Sequence, residues 1–184
     1  MRDREGNTPL LLAAQEGHTG CVDLLINRGS LVDQRGSDQM TALCFAALGG
    51  HKGTVKLLLK KGADLDVKAS HGKPLLYLLA LQGLTDVVEI LFDHGANPEV
   101  RDWEERTALH ASCWQGDWEM ARILLQKGKA NCNAFDKERR TPLHCAAWRG
   151  HVNIAHLLLE NGAFVDAQCS QGATPPLYRC SRGT

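Results

Sequence analysis

Neither sign of charge is in excess. The chain has 21 lysines and arginines against 21 aspartates and glutamates, for a formal net charge of zero. A general binder of nucleic acid or anionic membrane needs a basic surplus, so those partner classes are set aside. No run of about 18 consecutive apolar residues occurs, so no membrane-spanning helix is expected. The opening segment Met1-Arg2-Asp3-Arg4-Glu5 is charged and lacks the apolar stretch of a secretory signal. The seven cysteines are an odd number at scattered spacings, with no Cys-x-x-Cys pair. Cys44, Cys113 and Cys145 fall at small positions inside predicted helices. They read as reduced, buried small hydrophobes of a cytoplasmic protein. A phosphate-binding loop is missing: Gly72-Lys73 runs into Pro74, with no glycine five residues before Gly72. His-Glu-x-x-His is also missing, so no cofactor and no metal is expected.

What the chain does contain is a register. Thr8, Thr41, Thr107, Thr141 and Thr174 recur about every 33 residues. Gly29, Gly62, Gly95 and Gly128 keep the same spacing, and Gly162 follows after one inserted residue. A third column runs Asp33, Asp66, Glu99, Asn133 and Asp166. A fixed period of this length means stacked repeats. Each unit then contacts only its neighbours, and stability is roughly a sum over units and interfaces. Such a chain presents a surface, and no reaction centre is expected.

Residues 141–166 show how one unit is written. Thr141 can accept from exposed helix N–H groups, and Pro142 suits the first helical position, where its missing N–H is harmless. Leu143, Ala146 and Ala147 set small and apolar groups at helical spacing, and Gly150 stops this first helix. His151 starts a second helix with the apolar face Ile154, Ala155, Leu157, Leu158 and Leu159. After Gly162, Ala163-Phe164-Val165-Asp166 leads out toward the next unit. The same pattern reads Thr8-Pro9-Leu10, Thr41-Ala42-Leu43 and Thr107-Ala108-Leu109-His110. The third unit departs from it: Pro74-Leu75-Leu76 replaces the usual start, Leu79 an alanine and Leu84 a histidine.

These residues closely resemble the ankyrin repeat, a β-turn followed by two antiparallel helices. The resemblance covers residues 3 to about 174. It implies an all-α solenoid of paired antiparallel helices with β-turn fingers. One array over residues 1–184 is expected, with repeats at about 3–35, 36–68, 69–101, 102–135 and 136–168 and a partial sixth at 169–184. In the first unit Leu10, Leu12 and Leu24 have no polar capping repeat before them. Thr174-Pro175 begins a sixth helix, but Pro176 takes the core-leucine column and residues 177–184 leave the pattern. That end reads as part of a longer array or as an altered, frayed terminus. Four segments resemble one large member of the family more closely: 33–36, 76–81, 112–116 and 169–174.

The resemblance also implies a concave groove lined by the turn tips and by two positions per first helix. These are Gln15 and Glu16, Leu48 and Gly49, Leu81 and Gln82, Trp114 and Gln115, Trp148 and Arg149. The first column, Gln15, Leu48, Leu81, Trp114 and Trp148, grows more apolar along the chain. Trp103 sits at the fourth tip, beside Glu104 and Arg106; the other tips read as polar, with Ser37, Asp38 and Met40 in the second and Lys137, Glu138 and Arg140 in the fifth. Exposed apolar strips call for cover, and Trp and Arg dominate interface energetics. The partner-binding surface is therefore placed at Leu48, Leu81, Trp103, Arg106, Trp114, Arg140, Trp148 and Arg149. The plain alternative is that Trp114 and Trp148 shield the core, and Trp118 reads as packing. Asn133 resembles the asparagines of ankyrin repeats that a dedicated hydroxylase modifies, although a plain turn-stabilising role is the preferred reading.

Apparent chemistry has ordinary explanations. His110 with Cys113, and His144-Cys145, lack the paired spacing of zinc ligands. The resemblance instead gives His110 and His144 hydrogen bonds within and between turns. Cys113 near His144 has neither an oxyanion hole nor an orienting carboxylate. The leading reading is a non-catalytic scaffold that binds another protein in its groove, possible in endosomal trafficking on the closer resemblance. Weighed against it are a substrate-recruiting adaptor of a ubiquitin ligase, an enzyme, and an elastic spacer in a larger chain.

Overall fold

The computed structural model describes residues 6–36, 39–69 and 72–175. These form ten short helices in five pairs: α1 (Pro9–Gln15) with α2 (Thr19–Asn27), α3 (Ala42–Leu48) with α4 (Lys52–Lys60), α5 (Leu75–Gln82) with α6 (Thr85–Asp93), α7 (Ala108–Gln115) with α8 (Trp118–Gln126), and α9 (Pro142–Arg149) with α10 (Val152–Glu160). Among the described residues no strand occurs, only an isolated antiparallel bridge between Lys68 and Pro74. The architecture is an all-α repeat. Residues 1–96 and 97–184 form two compact units. The expected sixth helix and the frayed terminus lie outside the described residues.

In the first unit α1 packs on α3 and α3 on α5, while α2 packs on α4 and α4 on α6. Leu11, Ala14, Leu43, Ala46, Ala47, Leu58, Leu79 and Val88 are sealed between these layers. The alanines are small enough to let neighbouring first helices close up without voids. Leu10 is buried here too, whereas Leu12 and Leu24 remain exposed. In the second unit α7 packs on α9 and α8 on α10, around Leu109, Cys113, Met120, Leu124, Leu143, Ile154 and Leu158. Met40, read as a tip residue, is buried instead, while Ser37 and Asp38 lie outside the described residues.

Helix starts follow the threonine register. Thr8 and Thr41 accept from the backbone N–H groups of Leu11 and Cys44, each at 3.4 Å. Pro74 offers no such oxygen before α5; there the Leu75 N–H donates to the Val67 carbonyl at 3.1 Å, tying the helix start to the preceding extended segment. The acidic column also has a structural explanation. Asp33 accepts from the Asp64 N–H at 3.0 Å, Glu99 from Asn131 at 2.8 Å and Asn133 from Phe164 at 2.8 Å, each reaching one repeat forward.

His51 and His151, each following a helix–helix glycine, are packing pieces. The ring of His51 lies over Gly17, where a Cβ would meet it at 2.5 Å, and its Nε2 bonds the Gln15 carbonyl at 2.8 Å. The His151 ring covers Gly116, where a Cβ would meet it at 2.6 Å, but its buried Nε2 has no hydrogen-bond partner among the described residues. Leu84 does the work at Gly50 with an apolar side chain 3.9 Å away, which explains how the irregular third unit still stacks.

One glycine is displaced from its expected role. Gly29, Gly62, Gly95 and Gly162 all turn through the left-handed region, but Gly128 does not; Lys129 takes that conformation at φ 58°. The inserted residue lengthens the turn after α8, so that Ala130 donates back to Leu124, whereas Ala63 donates to Leu58. A lysine held left-handed carries a backbone penalty of about 1 kcal/mol that glycine avoids. Lys129→Gly is expected to raise the unfolding free energy by roughly 0.5 kcal/mol after glycine's own entropy loss. An unchanged or lower urea midpoint would contradict this.

Candidate functional site

The turns that join successive helix pairs form fingers, and those at 102–106 and 136–140 share one internal design. Each closes with a bond from its first N–H to its last carbonyl, Asp102 to Arg106 and Asp136 to Arg140, both at 3.0 Å. Each holds a left-handed fourth residue, Glu105 at φ 61° and Arg139 at φ 59°. The aspartate that opens the finger holds it shut from inside. Oδ1 of Asp136 accepts from the N–H groups of Glu138 at 3.0 Å and Arg140 at 2.9 Å. Its Oδ2 accepts from Nε of Arg140 at 2.9 Å and pairs with Nη2 at 2.8 Å, and the side chain is 2% exposed. Asp102 repeats the arrangement with Glu104 and Arg106. Arg106 and Arg140, contact residues by their register, are thus bound inside their own fingers by aspartates that the register does not mark. A carboxylate followed four residues later by arginine was the available signal.

The fingers are then fastened to one another. The Lys137 N–H donates to the Glu104 carbonyl at 3.1 Å, and the Ser170 N–H to Glu138 at 2.8 Å. From below, the Thr107 N–H donates to Nδ1 of His110 at 3.2 Å, which leaves Nε2 to donate to the Arg140 carbonyl at 3.1 Å. His144 does the same between Thr141 and the Ala173 carbonyl. This arrangement requires a neutral ring with its proton on Nε2. Burial pushes His110 down to about 4, which keeps it neutral.

Onto this rigid base the second unit mounts its aromatic side chains. Trp148 is 72% exposed, Trp103 59% and Trp114 44%. Trp114 and Trp148 are the seventh residues of α7 and α9, which pack together, so both project from equivalent places. The Arg149 guanidinium lies over the Trp114 ring, 5.1 Å from its centre, and the Lys137 ammonium over Trp103 at 5.7 Å. Arg139 lies over Phe135, another exposed ring, at 5.6 Å. Phe135 and Arg139 were not singled out from the sequence, because the finger register alone does not show which cation reaches which ring. Trp118 is also exposed, with Arg122 above it at 5.9 Å. In the first unit Leu48 closes α3 and Leu81 lies near the end of α5, both half-buried.

Asn133 is fully engaged. Its amide donates to the Gly162 carbonyl at 2.9 Å and its Oδ1 accepts from the Phe164 N–H at 2.8 Å, joining one finger approach to the next. Cys113 and Cys145 are poor nucleophiles. Burial raises the Cys113 thiol well above its ordinary range and pushes Cys145 up to about 12, although Cys145 keeps part of its residue surface exposed, where full burial was expected. Among the described residues no cluster of three His, Cys, Asp or Glu side chains could hold a metal ion, and no helix is long and apolar enough to cross a membrane.

A family model for ankyrin repeats, built on three copies, matches residues 1–69 and 75–169. The chain belongs to the ankyrin-repeat family. The match resumes at Leu75, within the irregular start of the third repeat. No curated protein matches the chain. Ankyrin repeats are in general protein–protein interaction modules, and their exposed fingers and first helices are where the aromatic side chains of this chain lie.

Proposed function

We propose that this chain is a non-catalytic scaffold that binds a partner protein through the finger tips and first-helix ends of its repeats. The observation that carries the reading is the exposure of Trp103, Trp114 and Trp148 beside fingers held by internal hydrogen bonds and ion pairs. Large rings left in water are costly, and buried against a partner each is the type of residue that supplies most interface energy. Arg149 and Arg140 frame this surface, and Arg106 stiffens the finger below Trp103. In the first unit Leu48 and Leu81 occupy the corresponding contact positions. The raised thiols of Cys113 and Cys145 support the non-catalytic reading.

Crosslinking mass spectrometry of the purified chain in cell lysate tests this. Trp114→Ala and Trp148→Ala are each expected to weaken capture of the crosslinked partner about tenfold or more. Their helical circular dichroism should stay at the wild-type level. Loss of helical signal with either change would make the ring a packing element and remove it from the surface.

The finer reading places the partner in endosomal trafficking. It draws on residues 33–36, 76–81, 112–116 and 169–174, which are similar to the C-terminal array of the large ankyrin repeat domain-containing protein 50. That protein is associated with endosomal recycling. Since no curated protein matched, this likeness stands on those segments alone. Crosslinked partners drawn from outside the endosomal sorting machinery would remove it.

A further inference from the structure

We infer that the aromatic surface of the second unit takes an acidic peptide segment with interspersed apolar side chains. This rests on the proposed interaction function and specifies the chemistry of the partner.

The argument starts from how the charges on the fingers are distributed. The carboxylates of the fingers at 102–106 and 136–140 are already matched: Asp102 and Glu104 with Arg106, Glu105 with Arg101, and Asp136 and Glu138 with Arg140. Three cations are placed differently. Lys137, Arg139 and Arg149 each sit over a ring, on Trp103, Phe135 and Trp114 respectively, and none is ion-paired with a carboxylate among the described residues. A cation over an aromatic face is attracted by the ring quadrupole, yet it keeps most of its charge for a third group. An incoming carboxylate therefore meets cations that are already oriented, with an apolar ring beside each.

The same geometry disfavours the alternatives. A basic segment would find these ring faces occupied by the chain's own cations and would be repelled by them. Nucleic acid needs bare rings for stacking and a groove with a clear positive surplus. Here Trp103 and Trp114 each already hold a cation over the ring, and the chain as a whole is neutral. Among the described residues no cation lies over Trp148, the most exposed of the tryptophans, so it is the natural contact for an apolar side chain.

Spacing limits the ligand further. Trp114 lies six residues into α7, roughly 9 Å along the axis from the finger. An extended segment covers that distance in about three residues. The acidic groups should therefore recur at about that interval, with apolar residues between them.

The experiment uses the full chain and four labelled probes read by fluorescence anisotropy. They are a short peptide repeating Glu-Leu-Leu (the Glu–Leu peptide), its Lys-for-Glu (Lys–Leu) and Ser-for-Leu (Glu–Ser) counterparts, and a single-stranded oligonucleotide of matching charge. The Glu–Leu peptide is expected to bind about tenfold more tightly than any other probe. Arg149→Glu and Lys137→Glu, both at exposed positions, should each weaken it about tenfold while leaving the helical signal unchanged. Equal or tighter binding of the Lys–Leu peptide or of the oligonucleotide overturns the inference. So does indifference to both charge reversals, or no binding by the Glu–Leu peptide. If a lysate partner is still captured in a Trp148-dependent way while the Glu–Leu peptide fails, the scaffold reading stands and this inference alone falls.

Discussion

Asp136→Ala is expected to lower the unfolding free energy by about 2–4 kcal/mol, a large share of what a domain of this kind has. The carboxylate is 2% exposed and accepts from two backbone N–H groups and from the Arg140 guanidinium. Alanine removes the acceptor and leaves the Glu138 and Arg140 N–H groups inside the finger without a partner, each at the cost of an unmade buried hydrogen bond. It also removes the brace for Arg139, which is held left-handed at φ 59°. Arg140→Ala should cost less, about 1 kcal/mol, because its guanidinium can be replaced by water at a side chain that is 40% exposed. Asp102→Ala should behave like Asp136→Ala, since Asp102 makes the same set of bonds. Urea denaturation followed by circular dichroism measures all three. A loss below about 0.5 kcal/mol for Asp136→Ala would show that the finger is held by its backbone alone.

Stability should also fall on mild acidification, by an amount that His110 dominates. Burial holds its folded pKa near 4, against 6.5 for the free side chain. Between those values the unfolded chain binds a proton that the folded chain refuses. The unfolding free energy therefore rises with pH across this window. The contribution is complete above about pH 6.5 and is lost as pH falls toward 4, for a total of about 3 kcal/mol. Roughly 2 kcal/mol of this is expected between pH 6.5 and 5, before ordinary carboxylates titrate. Protonation would also place a hydrogen on Nδ1, where the ring accepts from the Thr107 N–H. His110→Gln should flatten the pH dependence in that interval, at a cost in stability at neutral pH. A wild-type slope that His110→Gln leaves unchanged would assign the acid sensitivity elsewhere. Because His110 donates to the carbonyl of Arg140, its variant and that of Asp136 should not add simply.

Much of the fold was legible because the rules that build it are local. A threonine before a helix, a glycine after it and a stripe of leucines between them act within a few residues, and the chain repeats them. The departures in the third unit were visible as departures, but not their remedy. That Leu84 fills the place of a histidine ring over Gly50 depends on a partner one repeat away. The displaced turn at Lys129 was hidden for a different reason: Gly128 keeps the spacing of its column, and spacing does not show which of two adjacent residues turns left-handed.

The site was legible as a set of positions and illegible as a set of roles. Trp103, Trp114 and Trp148 were found from the register, and they are exposed. Arg106, Arg140 and Arg149 were found together, and the folded chain separates them. Two are bound to aspartates within their own fingers, and the third lies over a ring from the neighbouring repeat.

From its order of residues alone, the chain determined its repeat, its paired helices and the columns that face outward, since each follows from contacts a few positions apart. The tertiary structure alone decided which charges are used internally and which stay available, and which thiols and imidazoles are sealed from water. Those outcomes depend on side chains about 30 residues apart meeting across a repeat boundary, where burial and the nearest opposite charge set the chemistry.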